Sequence, residues 1–417
     1  MGRPLVFRRF GRLVGGYAFS RLDLRLLFLS VFLSFLGTSV VFPLRLLYAQ
    51  AHHASPAQIG LMASSFMIAP LLVQLPMGWL VDRWGRVPLL LVGLISHSFL
   101  ALLYIVLNTP DQLIALRFLE GISVSAFRPA VAAYIADVTP EEHRSEAYGG
   151  FAVALNAGML VGPLIGGVIG QYVGFQAAYA VNFVVEGLAV FLVLGRVHEP
   201  VVHQASHDRE SQSIPWSSLL TLPLLGAYGA FFAASVSMGI LGSLWSIWVH
   251  DLGGSYTFIG ATFTVFALPQ IFFGASAGRA GDRLRRGPIL LVSGVIAAVI
   301  YASYGFITNL VAIMLLGIVE GIAIVFQTPL AQGLLADASP PEARGRVQGL
   351  SGTVAAVGGA AAAFASLPLY HVHRAAPFVI AASAMAIGSL VASVGAAAYS
   401  RRRAAREIAL APGLEAS

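Results

Sequence analysis

Apolar runs of roughly 20 residues, each long enough to cross a hydrocarbon core of about 30 Å as a helix, recur twelve times along this chain. Lipid offers no partner to an unpaired backbone amide, so such segments are confined to the helix. The predicted spans fall at about 26–48, 58–81, 87–107, 111–136, 147–170, 175–195, 218–249, 257–277, 287–307, 310–336, 346–369 and 375–399. Only 11% of the 417 residues are charged, against roughly 25% in a soluble domain. The chain reads as an all-α membrane protein, with the lipid bilayer as its solvent.

Every one of the 25 basic residues is Arg, and only Arg45, Arg117, Arg128 and Arg374 fall outside the two termini and the even-numbered connections. The positive-inside bias therefore puts both termini in the cytoplasm and the chain, multi-pass, in the inner or plasma membrane. The same pattern accounts for the basic balance without nucleic acid as a partner. Residues 1–25 are expected to be a cytoplasmic N-terminal segment, with no cleavage site after the first apolar run. Residues 26–195 form a first bundle of six spans, 196–217 a flexible cytoplasmic linker, 218–399 a second bundle and 400–417 a cytoplasmic tail. Cys is absent, which removes disulfides and thiolate chemistry.

The two halves repeat each other. Gly78-Trp79-Leu80-Val81-Asp82-Arg83-Trp84-Gly85-Arg86-Val87-Pro88 returns 200 positions later as Gly278-Arg279-Ala280-Gly281-Asp282-Arg283-Leu284-Arg285-Arg286-Gly287-Pro288. The same offset relates Glu120-Gly121 to Glu320-Gly321, Pro129 to Pro329, Asp137 to Asp337 and Gly158 to Gly358. A register held over this many positions marks two structural repeats.

The Gly78–Pro88 turn resembles the signature loop of the major facilitator superfamily, G-x-x-x-D-R-x-G-R, between the second and third helices. That resemblance implies twelve helices as two pseudo-symmetric six-helix bundles, with rocking alternating access around a midplane site. It makes Gly78, Asp82, Arg83, Arg86 and Asp137 a cytoplasmic gate, with Asp82 against a helix N-terminus and Arg86 paired with Asp137. Gly278, Asp282, Arg283, Arg286 and Asp337 form the second copy, which departs from the pattern at Arg285 and Gly287.

The fourth span opens Arg117-Phe118-Leu119-Glu120-Gly121, similar to the superfamily's R-x-x-Q-G motif with Glu in place of Gln. Charges inside a span cost about 2.5–3.5 kcal/mol at the centre, which marks them as functional candidates. Arg117, Glu120 and Arg128 share one helix face, and Arg128 is expected to face a wet cavity or a carboxylate. The family's cavity-lining helices would make Glu120 and Glu320 near-symmetric carboxylates facing it from opposite halves. Glu186 lies mid-span in the sixth helix on a stripe with Asn182 and Tyr179, as a buried partner or at a lateral opening. These five, Arg117, Glu120, Arg128, Glu320 and Glu186, are the candidates for proton coupling. The alternative is a permanent ion pair of Glu120 with Arg117 or Arg128.

The fifth span reads Gly149-x8-Gly158-x3-Gly162-Pro163-x2-Gly166-Gly167, which resembles the antiporter motif of the drug:proton antiporters. Small residues at that spacing admit a neighbouring helix closely, and Pro163 permits a bend. The resemblance implies export of small amphipathic, drug-like molecules in exchange for protons, with no cofactor beyond the proton gradient, by a monomer that is not an enzyme. Phe42, Gln74, Asn156, Trp245 and Gln327 are the candidates for the substrate cavity. The first span carries Leu36-Gly37-x5-Pro43 and lacks a membrane-embedded acid. The alternatives are a proton-coupled sugar, amino-acid or lipid-linked substrate, or a non-transporting membrane sensor. The His52-His53, His203/His207 and His371/His373 pairs have no matching ligand framework, so no metal site is expected.

Overall fold

The computed structural model describes residues 21–199, 215–283, 285–340 and 343–409, and these form thirteen long or short α-helices with two 3-10 turns. They are α1 (Leu22–Val41), α2 (Arg45–Ala51), α3 (Pro56–Trp84), α4 (Arg86–Val106), α5 (Pro110–Val138), α6 (Arg144–Tyr172), α7 (Phe175–Arg196), α8 (Leu222–Asp251), α9 (Tyr256–Arg283), α10 (Arg286–Tyr304), α11 (Leu310–Ala338), α12 (Arg344–Val372) and α13 (Ala376–Ala409). The first predicted span is divided into α1 and α2 by a turn at Phe42–Leu44, where Pro43 has no amide to carry the helix on. Among the described residues eleven spans are apolar and long enough to cross a bilayer. The twelfth, α5, has 29 residues, as α3 and α6 do, but carries Asp111, Arg117, Glu120, Arg128 and Asp137.

Packing divides the chain into two compact units. One contains the described residues within 1–58, 65–206 and 253–264, the other those within 59–64, 207–252 and 265–417. In the first, α1 packs on α6 and α7, and α4 on α5 and α7. In the second, α8 packs on α12, α13 and α11, and α10 on α13 and α11. Large apolar side chains point away from these contacts, with Phe191 74%, Phe272 71% and Val299 61% exposed. A surface of that kind suits lipid and would be a liability in water.

Helix ends are set by local chemistry. Pro110 occupies the first turn of α5, and the Thr109 amide donates to Gln112 Oε1 at 3.2 Å. Asn309, 200 positions later, caps α11 by accepting from the Val311 and Ala312 amides at 2.9 and 3.1 Å. At the other end of the chain α13 runs on through Arg401, Arg402, Arg403 and Arg406 to Ala409, beyond the expected boundary at 399, because Ala and Arg are strong helix formers. Residues 1–20, 200–214 and 410–417, which include His203, His207, Asp208, Arg209 and Glu210 of the expected linker, lie outside the described residues.

The glycine stripe of α6 faces α1. A Cβ at Gly158 would lie 2.7 Å from the Leu36 amide nitrogen, at Gly162 2.0 Å from Ser39 Oγ, and at Gly166 1.7 Å from the Val40 carbonyl oxygen. Ser39 Oγ uses the close approach to donate to the Gly158 carbonyl at 2.8 Å. Pro163 lies inside α6, and Gly167 meets Tyr256 of the segment 253–264 that belongs to the same unit. Gly149, by contrast, has open space where a Cβ would go. Replacing Gly166 with Ala is expected to cost about 1–3 kcal/mol by overpacking, read as a lowered unfolding temperature in detergent. Gly149→Ala should leave it level or raise it.

Candidate functional site

The turn at Phe42–Leu44 places Arg45 first in α2, where its side chain is only 3% exposed. Its Nη2 donates to Glu120 Oε1 at 3.1 Å, while Arg117 Nη1 donates to Oε2 at 2.8 Å. Tyr104, on α4, donates its hydroxyl to the same Oε2 at 3.1 Å. Arg117 also lies over the Phe66 ring, 3.7 Å from its centroid, a cation–π contact that stands in for part of its lost hydration. Two guanidinium groups on one carboxylate leave a buried positive charge, and a second acid answers it. Glu186 of α7, fully buried, takes His97 Nδ1 at 2.6 and 2.7 Å on its two oxygens and the Thr38 hydroxyl at 3.1 Å. With His97 neutral the cluster holds two cations and two anions and is balanced.

The second unit repeats the carboxylate and the tyrosine but not the cations. Tyr304, 200 positions from Tyr104, donates to Glu320 Oε2 at 2.6 Å, with both groups buried. Where the first unit has Arg45, Arg117, His97 and Glu186, the second has Trp245, Gly317, Ala297 and Ala386. Among the described residues no cation pairs with Glu320. Its surroundings are aromatic instead: Trp245 and Trp248 lie 5.0 and 5.6 Å from Tyr304, and Phe378 lies 4.8 Å from Trp248 between ring centroids.

These positions correct several sequence expectations. Glu120 and Glu320, 1% and 2% exposed, are buried, each carboxylate turned to donors of its own unit that satisfy it. Glu120 pairs with Arg117 and with Arg45, not with Arg128; Arg128 is exposed and forms no ion pair among the described residues. Glu186 is a buried partner, that of His97. Trp245 belongs to the aromatic packing around Tyr304, and Gln327 is tied up on α10, donating to the Leu290 carbonyl at 2.9 Å and Ser293 Oγ at 2.8 Å. Of the remaining cavity candidates, Asn156 is exposed, donating to the Ala152 carbonyl, and Phe42 is half-buried with its ring 5.1 Å from Phe263. The side chain of Gln74 lies outside those described.

Both arginine–aspartate pairs expected at the gate are present. Arg86 Nε meets Asp137 Oδ2 at 2.7 Å in the first unit, and Arg286 Nη1 meets Asp337 Oδ2 at 2.7 Å in the second. Arg83 is exposed, and the side chains at Gly78, Asp82, Gly278, Asp282 and Arg283 lie outside those described. A further acid appears beside the first pair: Glu199, at the start of the expected flexible linker, accepts from the Arg86 and Val87 amides at 2.7 Å each. A carboxylate so placed satisfies two orphan donors of α4 and lies at the positive end of its dipole. Gly85 is needed there twice over, since its φ is +98° and a Cβ would come 2.7 Å from Glu199 Oε1. The second copy takes the same turn at φ −67°, which is why Arg285 can stand in place of Gly.

Sequence reasoning missed Arg45, His97, Tyr104, Tyr304 and Glu199. Tyr104 and Tyr304 were detectable, since they keep the 200-residue register beside Glu120 and Glu320. His97, mid-span, carried the same signal of cost as the acids.

Two units of packed membrane-spanning helices, with charge buried between helices, define a membrane transporter of the major facilitator type. The chain belongs to that family: the Major Facilitator Superfamily model matches residues 27–241 and 227–412. It is 25% identical over 292 residues to Multidrug resistance protein 2 of Bacillus subtilis (strain 168), covering 67% of this chain and 73% of that one. It is 22% identical over 234 residues to Quinolone resistance protein NorA of Staphylococcus aureus (strain MSSA476), covering 54% of this chain and 58% of that one. The fold also matches the POT family transporter PepTSo, with a TM-score of 0.73 at 12% identity, over 91% of this chain and 98% of that one. A bacterial homolog of the human lysosomal transporter Spinster gives 0.67 at 16%, over 90% and 95%.

Glu120→Gln leaves two buried guanidinium groups facing one remaining acid, so it should destabilise the protein by about 3–5 kcal/mol. Glu320→Gln keeps an acceptor for Tyr304 and should cost under about 1 kcal/mol. Thermal unfolding of both variants in the same detergent checks the contrast.

Proposed function

We propose that this chain exports small amphipathic, drug-like molecules in exchange for protons by alternating access, and that Glu320 carries the exchanged proton. The observation that carries this reading is Glu320 itself: a buried carboxylate held by a tyrosine hydroxyl, with no cation pairing among the described residues. A lone charge within a span is expensive, and a proton removes it without breaking an ion pair. Glu120 is less suited, because taking a proton there strands Arg45 and Arg117.

The proton changes what Glu320 offers Tyr304. An ionised carboxylate can only accept, whereas the acid can also donate. Tyr304 packs against Trp245 and Trp248 of α8, so a reversed hydrogen bond moves the aromatic contact of that helix. The names of the relatives, multidrug and quinolone resistance proteins, support drug-like compounds as the substrate class. Arg86 with Asp137 and Arg286 with Asp337 act as latches on the cytoplasmic side, made and broken once per cycle. In this reading the protein is a monomer of the cell membrane with both termini cytoplasmic, driven by the proton gradient alone.

In proteoliposomes of the full chain, an imposed proton gradient should drive ethidium movement in the wild type. Glu320→Gln should lose the gradient-dependent component by at least about tenfold while still binding dye. Gradient-independent flux in the wild type, or coupling that survives Glu320→Gln, contradicts the assignment. No flux with several cationic and neutral probes turns attention to sugar, amino-acid or lipid-linked substrates.

A further inference from the structure

His97 is 6% exposed and held from one side only. Its Nδ1 is fixed between both oxygens of Glu186, at 2.6 and 2.7 Å, so the ring's own hydrogen belongs on that nitrogen. Its Nε2 has no hydrogen-bond partner among the described residues and points at Glu120 Oε1, 3.8 Å away. In the neutral ring that is one acceptor facing another with no hydrogen between them. Three more buried polar atoms of the same neighbourhood, Arg45 Nε, Arg117 Nε and Asn182 Oδ1, have no partner among the described residues. Gly37 keeps the space open, since a Cβ there would come 2.7 Å from Asn182 Oδ1 and 3.1 Å from Glu186 Cγ.

We propose that Nε2 of His97 is a proton-binding site inside the first unit, and that a proton there competes with Arg45 for Oε1 of Glu120. One proton adds to the Nε2 lone pair and gives an imidazolium between two carboxylates; its loss restores the neutral ring, and no other reactant is involved. The charged groups acting on the ring are Glu186 from α7, Glu120 from α5 and Arg45 from α2, and Arg117 of α5 and Tyr104 of α4 are bonded in turn to Glu120. With neutral His97 their formal charges cancel, so the added proton brings the cluster to a single positive charge. Closing 3.8 Å to a hydrogen bond of about 2.8 Å needs Glu120 to swing by roughly 1 Å. Oε2 stays with Arg117 and Tyr104, while the 3.1 Å bond from Arg45 to Oε1 is given up. Arg45 opens the seven-residue α2 beyond the Pro43 turn, so proton arrival loosens the anchor of that short helix. The role of this site in transport rests on the proton-coupled reading above; its existence does not.

The test uses the full chain in lipid nanodiscs with ¹⁵N-labelled histidine rings, titrated from about pH 5 to pH 9, the range in which a histidine switch operates. The wild type minus His97→Gln difference isolates the His97 signals. As the pH rises they should pass from a doubly protonated ring to a neutral one with hydrogen on Nδ1. In proteoliposomes His97→Gln should keep dye binding within about twofold and lose gradient-driven accumulation by at least about tenfold. One unchanging protonation state over the whole range, or coupled accumulation equal to wild type in His97→Gln, overturns the proposal. If His97→Gln does not fold, Thr38→Val, which removes a hydrogen bond from Glu186, identifies the ring by the shift it causes. If the wild type moves dye without regard to the proton gradient, the transport reading falls and the titration still decides the site.

Discussion

A charge inside a hydrocarbon layer must be matched, or neutralised by a proton, because lipid can do neither job of water. That constraint organises both units of this protein. It draws Arg45, Arg117, Glu120, Glu186 and His97 from helices far apart in sequence into one cluster. It also explains why α5, the least apolar of the spans, can sit in a membrane at all: Arg117 and Glu120 are enclosed by protein, and Asp137 is paired with Arg86 at the helix end.

The two repeats show the same constraint met in two ways. Each has a tyrosine hydroxyl on the second oxygen of a buried glutamate, sixteen residues apart in both. The first repeat completes the site with guanidinium groups and an acid–histidine pair; the second completes it with indole and phenyl rings. The repeated scaffold thus carries one site with internally compensated charge and one in which, among the described residues, the carboxylate has no paired cation. The arginine–aspartate pairs remained alike, with Arg86–Asp137 and Arg286–Asp337 at the same 2.7 Å.

Much of the fold was legible in the sequence. Span lengths, the 200-residue register and the glycine stripe rest on local composition, and each maps onto a helix or a helix contact. The break at Pro43 and the run of α13 to Ala409 were missed, since both are details of how a helix begins or ends. The site was legible only in part. The cost of Glu120, Glu186 and Glu320 in lipid was visible residue by residue, but partnership is not: Arg45 read as a topology exception, and His97 drew no attention because its acid lies 89 residues away. Trp245 and Gln327 read as cavity residues by chemistry, whereas packing commits both to the interior of their unit. Glu199 was hidden inside a stretch whose polarity indicated only a linker.

In the proposed transport cycle the exchangeable proton sits on Glu320 and not on Glu120. Infrared difference spectroscopy of the carboxylic C=O stretch, recorded between protonating and deprotonating conditions on the reconstituted full chain, addresses it directly. A band that disappears in Glu320→Gln and persists in Glu120→Gln is expected. A band that persists in Glu320→Gln and is lost in Glu120→Gln would show that the guanidinium-bound acid titrates, and would contradict that assignment.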